Sequence, residues 1–193
     1  MGKIGWIIIL VLIVAAIISV SKYNTMVSLE ESVSEQWSNV ETQYQRRADL
    51  IPNLVSTVKG YAAHEKDVLE SVTKARASAT SVKIDASNLT ADNIRQFQAA
   101  QGSLNSALSR LLAVAERYPD LKANQNFLEL QAQLEGTENR IAVERRRFNE
   151  QVKIYNTYIR KFPTNLVASM FGFERQVTFE ADDGSEKAPE VQF

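Results

Sequence analysis

The chain has 193 residues, of which 22 are Lys or Arg and 23 are Asp or Glu, and it contains no cysteine. The net charge of −1 argues against a broad electrostatic surface for nucleic acid, and the lack of cysteine excludes disulfides, thiolate metal ligands and cysteine nucleophiles. Only 7 Gly and 4 Pro occur, so the composition predicts a few long helices.

An uncharged apolar run at residues 4–21 predicts a membrane anchor in residues 1–22. As a helix it would be about 27 Å long, close to the hydrocarbon thickness of a bilayer, and Lys3 and Lys22 flank it. The alternative is a cleaved signal peptide, because small residues occur near Ser19, but the run exceeds the usual signal core of about 7–15 residues. The acidic segment after Lys22 favours an N-terminus in the cytoplasm and the remaining chain outside it.

Residues 23–162 carry apolar side chains at alternating spacings of three and four, which predict long amphipathic helices of the coiled-coil type. The first stripe stays in phase across Pro52, so we expect one kinked helix that ends near Thr80. Residues 81–90 lose the period and predict a distal loop, and two further helical stretches follow. We therefore expect an all-α fold, with a transmembrane helix followed by an elongated antiparallel up-and-down bundle of three to four helices.

The segment 163–180 has a different character. It begins with an apolar cluster too short to span a membrane, and its second part alternates apolar and polar residues, which predicts a short lone strand. Such a strand must pack irregularly or pair with another copy. The cluster either caps the bundle or contacts a membrane or a second subunit. The candidate contacts are Leu166, Met170, Phe171, Phe173, Val177 and Phe179.

Two charged residues occupy positions where the stripes predict apolar ones. Arg47 lies in the first stripe and Glu138 in the last, so an antiparallel bundle could pair them and fix its register. The alternative is that both long side chains reach solvent at the edge of the bundle. With a single histidine, His64, and no nucleophile-plus-base spacing, we expect no catalytic residue, no metal site and no cofactor.

The C-terminal tail, residues 181–193, is acidic and rich in small residues, so we expect it to be disordered. It ends in Val191, Gln192 and Phe193, an ending that PDZ-type domains accept by strand addition. This makes a PDZ-type protein one candidate partner.

Several motifs in this order resemble those of the bacterial LemA family, and the resemblance covers residues 4–180. The motifs are RRADLIPNLVSTVKGYAAHE from Arg46, LESVTKARA from Leu69, YPDLKANQNF from Tyr118, GTENRIAVERRRFNE from Gly136, VKIYNTYIRKFP from Val152 and FGFE from Phe171. The resemblance implies a membrane-anchored helical bundle and supplies no active site. The family's frequent association with heat-shock-type membrane metalloproteases implies an accessory role in envelope stress or proteolysis.

These observations lead to two hypotheses, neither of which is an enzyme. The first is a scaffold that self-associates into a homo-oligomer at the bacterial inner membrane, through helical faces and the C-terminal strand, in envelope maintenance or stress. The second is a sensor or adaptor that recruits a partner such as a membrane metalloprotease. The expected partners are the lipid bilayer and further copies of the chain, and nucleic acid is not among them.

Overall fold

A computed structural model describes residues 2–86 and 89–179, and all the regular elements in these residues are helices. They are α1 (Lys3–Tyr61), α2 (Lys66–Ser81), α3 (Ala91–Ala115), α4 (Pro119–Lys122), α5 (Gln125–Arg160) and α6 (Thr164–Phe171). The expected all-helical fold is confirmed for this part of the chain. The tail 181–193, which includes Val191 and Phe193, lies outside the described residues.

Helix α1 is both the membrane anchor and the first helix of the bundle. Its 59 residues make a helix of roughly 88 Å, and Pro52 lies inside it without ending it. The apolar stretch near its N-terminus is long enough to cross a membrane, and none of it is buried within the protein. A single-pass anchor is therefore joined to the bundle by continuous helix, with no linker between them.

The prediction that the first helix continues to Thr80 is wrong, because the chain turns back after Tyr61. Arg76 of α2 donates a 2.7 Å hydrogen bond from Nε to the carbonyl oxygen of Ala48, so α2 returns antiparallel to α1. The reversal brings the apolar residues of α2 into the same core as those of α1. If α1 had continued straight through residues 66–81, the apolar residues of this second part could not have packed against those of the first.

The turn at residues 62–65 is therefore the distal end of the bundle. The distal loop was expected at residues 81–90 instead, but the described residues of that segment, 81–86 and 89–90, lie part of the way down the bundle. Ile84 and Leu89 pack in the cluster that also contains Trp37. At the distal end, Arg117 pairs with Glu65 at 2.9 Å, which joins the end of α3 to the turn. In the distal half, α1 and α3 thus run away from the anchor and α2 and α5 run back, while the short α4 lies between α3 and α5 at the distal end.

Trp37 is the centre of the membrane-proximal core. It is fully buried, and its ring centroid lies 5.4 Å from that of Phe97 on α3 and 5.6 Å from that of Phe148 on α5. Phe179, from the segment after α6, stacks on the same indole at 5.6 Å. Trp37 therefore holds α1, α3, α5 and the C-terminal segment together.

The predicted strand is wrong: residues 173–179 form no strand and follow the bundle as irregular extended chain. Two asparagine side chains of α5 bind its backbone. Asn156 accepts from the N–H of Gln176 at 2.9 Å and donates to its carbonyl at 2.8 Å. Asn149 bonds both backbone groups of Phe179 in the same way, at 2.9 and 3.1 Å. At Gln176 and Phe179 these side-chain amides take the place of a neighbouring strand.

Candidate functional site

A buried arginine joins the helices at mid-height of the bundle. Arg47 is 1% exposed, and its Nη1 donates to Glu138 Oε2 of α5 at 2.8 Å and to Asn105 Oδ1 of α3 at 2.5 Å. Its Nη2 donates to Gln101 Oε1 at 2.6 Å, and Gln101 donates in turn to the carbonyl of Ala79 on α2 at 3.4 Å. One guanidinium thus links α1, α3 and α5 directly, and α2 through Gln101.

The two charges of this pair have unequal environments. The Arg47 side chain is 2% exposed, whereas that of Glu138 is 52% exposed. Arg47 and Glu138 thus form an ion pair. Of the two side chains, only that of Glu138 reaches solvent. The planar guanidinium also lies over the ring of Tyr44, with Cζ 5.1 Å from the centroid. With amide and carboxylate acceptors from α3 and α5 around one guanidinium of α1, this arrangement can fix the register of the helices.

An open groove of about 790 Å³ lies beside this site, between α1 and the segment after α2. Its walls combine aromatic and aliphatic side chains with charges of both signs, including Glu41, Arg46, Asp49 and Lys83. No set of like charges converges in it. His64 is exposed in the distal turn. Within residues 2–86 and 89–179, no group of three His, Cys, Asp or Glu side chains lies close enough to hold a metal ion.

Two half-buried carboxyls face buried aromatic donors in the membrane-proximal half. Burial raises the pKa of Glu41, and the nearby indole N–H of Trp37 lowers it in part. Burial raises the pKa of Glu30 as well, together with the charge of Glu31, while the Tyr155 hydroxyl opposes the rise. Both aromatic donors lack a hydrogen bond of normal geometry, so these contacts compensate only part of the desolvation.

The raised pKa of Glu41 predicts a pH-dependent gain in stability for Glu41→Gln. The carboxyl binds its proton more tightly in the folded state than in the unfolded state, so folding is opposed as pH rises through the raised pKa. We expect Glu41→Gln to unfold at a higher denaturant concentration than wild type at pH 7. The gain should disappear near pH 4, where the carboxyl is largely protonated in both states. Chemical denaturation at both pH values checks this, with the exposed Glu70→Gln as control. A gain of equal size at both pH values would contradict it.

The outer face of α5 is a further candidate surface, which the sequence analysis missed. It is uncharged over about 22 Å and lies opposite the buried residues of the helix. Its residues, all exposed, are Leu128, Ala132, Gly136, Asn139 and Val143. A search for uncharged positions opposite the apolar stripe would have found it, but the arginines and glutamates on either side make this region polar in composition.

The six candidate contacts from the C-terminal segment separate into two groups. Phe179 is 5% exposed, and Phe173 and Val177 are partly buried against the core, so these three side chains make contacts within the chain. Leu166, Met170 and Phe171 are exposed. Phe162, just before α6, is also exposed but was not singled out from the sequence.

Comparison with known proteins identifies relatives over most of the chain. A sequence model described as "LemA family" matches residues 36–193. "Protein LemA" of Metamycoplasma hominis is 23% identical, in an alignment that covers 85% of this chain and 71% of that protein.

Other relatives have names that refer to the magnetosome. "Magnetosome protein MamQ 2" of Paramagnetospirillum magneticum is 29% identical, over 82% of this chain and 65% of that protein. "Magnetosome protein MamQ" of Magnetospirillum gryphiswaldense is 28% identical, over 80% of this chain and 63% of that protein. The chain therefore spans a little under two thirds of the length of these relatives.

Proposed function

The chain belongs to the LemA family, and from this premise we propose that it is a membrane-anchored helical scaffold that self-associates into a homo-oligomer through the outer face of α5. The observation that carries the proposal is the uncharged stripe on that face, centred on Gly136, which residues 2–86 and 89–179 leave uncovered. Because the C-terminal segment is bound by Asn149 and Asn156, pairing of strands between copies is not part of this proposal.

Gly136 supports close approach by another helix. A glycine inside a helix costs about 1 kcal/mol relative to alanine. A Cβ at Gly136 would meet nothing within 4 Å, so packing inside the chain does not require glycine there. Ala132 lies one turn away on the same face. Small residues spaced in this way allow the backbones of two helices to come close together.

The charges beside the stripe fit a second copy in parallel orientation. All copies that share a membrane topology present α5 in the same direction, because α1 continues from the anchor into the bundle. The line along which two such stripes would meet is called the seam here. In a parallel pair of helices, a side chain just before the seam faces the partner's residue five positions further on. Glu135 of one copy then faces Arg140 of the other, and the reciprocal pair forms by symmetry. Asn139, within the seam, can fix the register of the pair.

The proposal predicts that Gly136→Glu dissociates the oligomer without unfolding the chain. In a single copy the new side chain points into open space, and glutamate has a higher helix propensity than glycine. In the pair, two carboxylates would meet at the seam and repel each other. The measurement is the particle mass of the full-length protein in mild detergent, by light scattering. Wild type should give a multimer and Gly136→Glu the mass of one chain, with unchanged helical circular dichroism.

The matched control is Gly102→Glu. Gly102 also lies inside a helix with nothing within 4 Å of its would-be Cβ, but on α3. It should keep the wild-type mass. A wild-type monomer, or a Gly136→Glu protein that remains multimeric, would refute self-association through this face.

We place this scaffold at the bacterial cytoplasmic membrane and in envelope maintenance. The anchor in α1 supports the membrane location. The family's association with membrane metalloproteases supports the cellular role by analogy.

A further inference from the structure

Helix α6 is amphipathic, and its apolar outer side is exposed. Thr164, Val167 and Ala168 are buried against the bundle. Leu166 and Met170, on the other side, are 61% and 67% exposed. Phe162, in the turn that precedes α6, is 81% exposed, so three large apolar side chains within nine residues are exposed to solvent. Soluble surfaces seldom carry such a group without a binding partner.

Ring contacts place α6 at the membrane end of the bundle. The Phe171 ring centroid lies 5.0 Å from that of Tyr23, and the Phe173 centroid lies 5.6 Å from it. Tyr23 follows almost directly after the apolar run of the anchor. Lys22 Nζ lies 5.5 Å from the ring centroid of Tyr158, near the end of α5. Helix α6 therefore lies beside α1 at the point where the apolar run of the anchor ends.

Charge and length indicate what covers this side. Residues 162–173 contain no charged side chain, while Arg160 and Lys161 come just before them. Basic residues beside an apolar helix face match a bilayer with anionic headgroups. The 8 residues of α6 extend only about 12 Å, which is too short to span a membrane, so an orientation along the surface remains.

We propose that α6 is a second membrane contact, which inserts Phe162, Leu166 and Met170 into the headgroup region of the leaflet from which α1 emerges. Gly172, with φ of 77°, ends α6 and redirects the chain into the segment held by Asn156 and Asn149. The contact is thus tied to the bundle on both sides. Two attachment points prevent the bundle from rotating about the anchor. The inference is independent of self-association, since a single copy can make this contact.

The chain contains no cysteine, so single-cysteine variants allow direct measurement of membrane depth. Leu166→Cys and Met170→Cys, in full-length protein, would carry an environment-sensitive fluorophore in nanodiscs with one copy per disc. Ile13→Cys, inside the anchor, is the lipid reference. Ser103→Cys, exposed on α3 in the distal half, is the water reference. Both α6 variants replace exposed side chains, so we expect them to fold.

The expected result is blue-shifted emission at positions 166 and 170, with loss of fluorescence when nitroxide-labelled lipids are included, as at Ile13. Iodide should quench the label at Ser103 and not those on α6. Equal quenching by iodide at 166, 170 and 103 would overturn the proposal. Protection of the α6 labels only when two copies share a disc would also overturn it, because a second copy would then be the occupant.

Discussion

Trp37→Ala should lower the free energy of unfolding of the bundle by about 3–5 kcal/mol, because it removes the largest fully buried side chain. The indole contacts rings from α3, α5 and the C-terminal segment, so the cavity left behind would be shared by several elements that cannot all close on it. Chemical denaturation in mild detergent, followed by far-ultraviolet circular dichroism, measures the change. We expect the C-terminal segment to detach first, since stacking on Trp37 is one of its main contacts.

The sequence provides a matched control for this substitution. Trp6 is the only other tryptophan, and it is 65% exposed in the anchor. Trp6→Ala should leave the unfolding of the bundle unchanged. A loss of less than about 1 kcal/mol for Trp37→Ala, well below the usual range for a buried aromatic, would show that Trp37 is not the centre of this core.

Glu138→Gln is expected to destabilise the bundle by about 2 kcal/mol, in the range for a hydrogen bond to a charged group. The substitution keeps an acceptor near Arg47 but leaves the buried guanidinium with neutral partners only. Arg47→Met should cost less, because it removes the buried charge and fills much of the same volume. In Arg47→Met, the buried side chain of Gln101 loses its hydrogen-bond donor. Asn105 and Glu138 are exposed, so water can replace the arginine as their donor.

Denaturant midpoints of both variants test this order, with the exposed Glu70→Gln as the control for loss of a carboxylate. If Glu138→Gln unfolds at the wild-type midpoint, the buried guanidinium does not need its counter-charge. If Arg47→Met is the less stable of the two, the hydrogen bonds of the guanidinium outweigh the cost of burying it.

The sequence predicted features that depend on local composition and periodicity. The anchor follows from an uncharged run in residues 4–21, and the long helices follow from the spacing of apolar residues. Arg47 and Glu138 were recognisable because each interrupts an apolar stripe. Each of these features can be recognised within a single segment of the sequence, without knowledge of how the segments pack.

The features that the sequence did not predict depend on contacts between distant segments. The turn at residues 62–65 keeps the apolar phase and contains neither Gly nor Pro, so the period alone cannot distinguish a continuing helix from a returning one. Local signals for a helix end and a new helix start were present in the sequence. They are Gly60 and Lys59 in the last turn of α1 and Asp67 in the first turn of α2.

The lone strand was predicted for a related reason. Alternation in residues 173–179 reflects packing of one side against α1 and α5, and this pattern is the same as that of a strand in a sheet. The backbone of this segment is bound by Asn149 and Asn156, which belong to α5 and are distant from it in the sequence. The outer face of α5 was missed because its significance appears only when the opposite face is known to be buried.

Oxidative cross-linking in native membranes tests self-association through α5 most directly. Since the chain has no cysteine, Gly136→Cys and Gly102→Cys each introduce a single thiol at a helix position with open space around it. The account predicts a covalent dimer for Gly136→Cys and none for Gly102→Cys. No dimer at position 136, or equal dimer formation at both positions, would contradict a parallel pair of α5 helices.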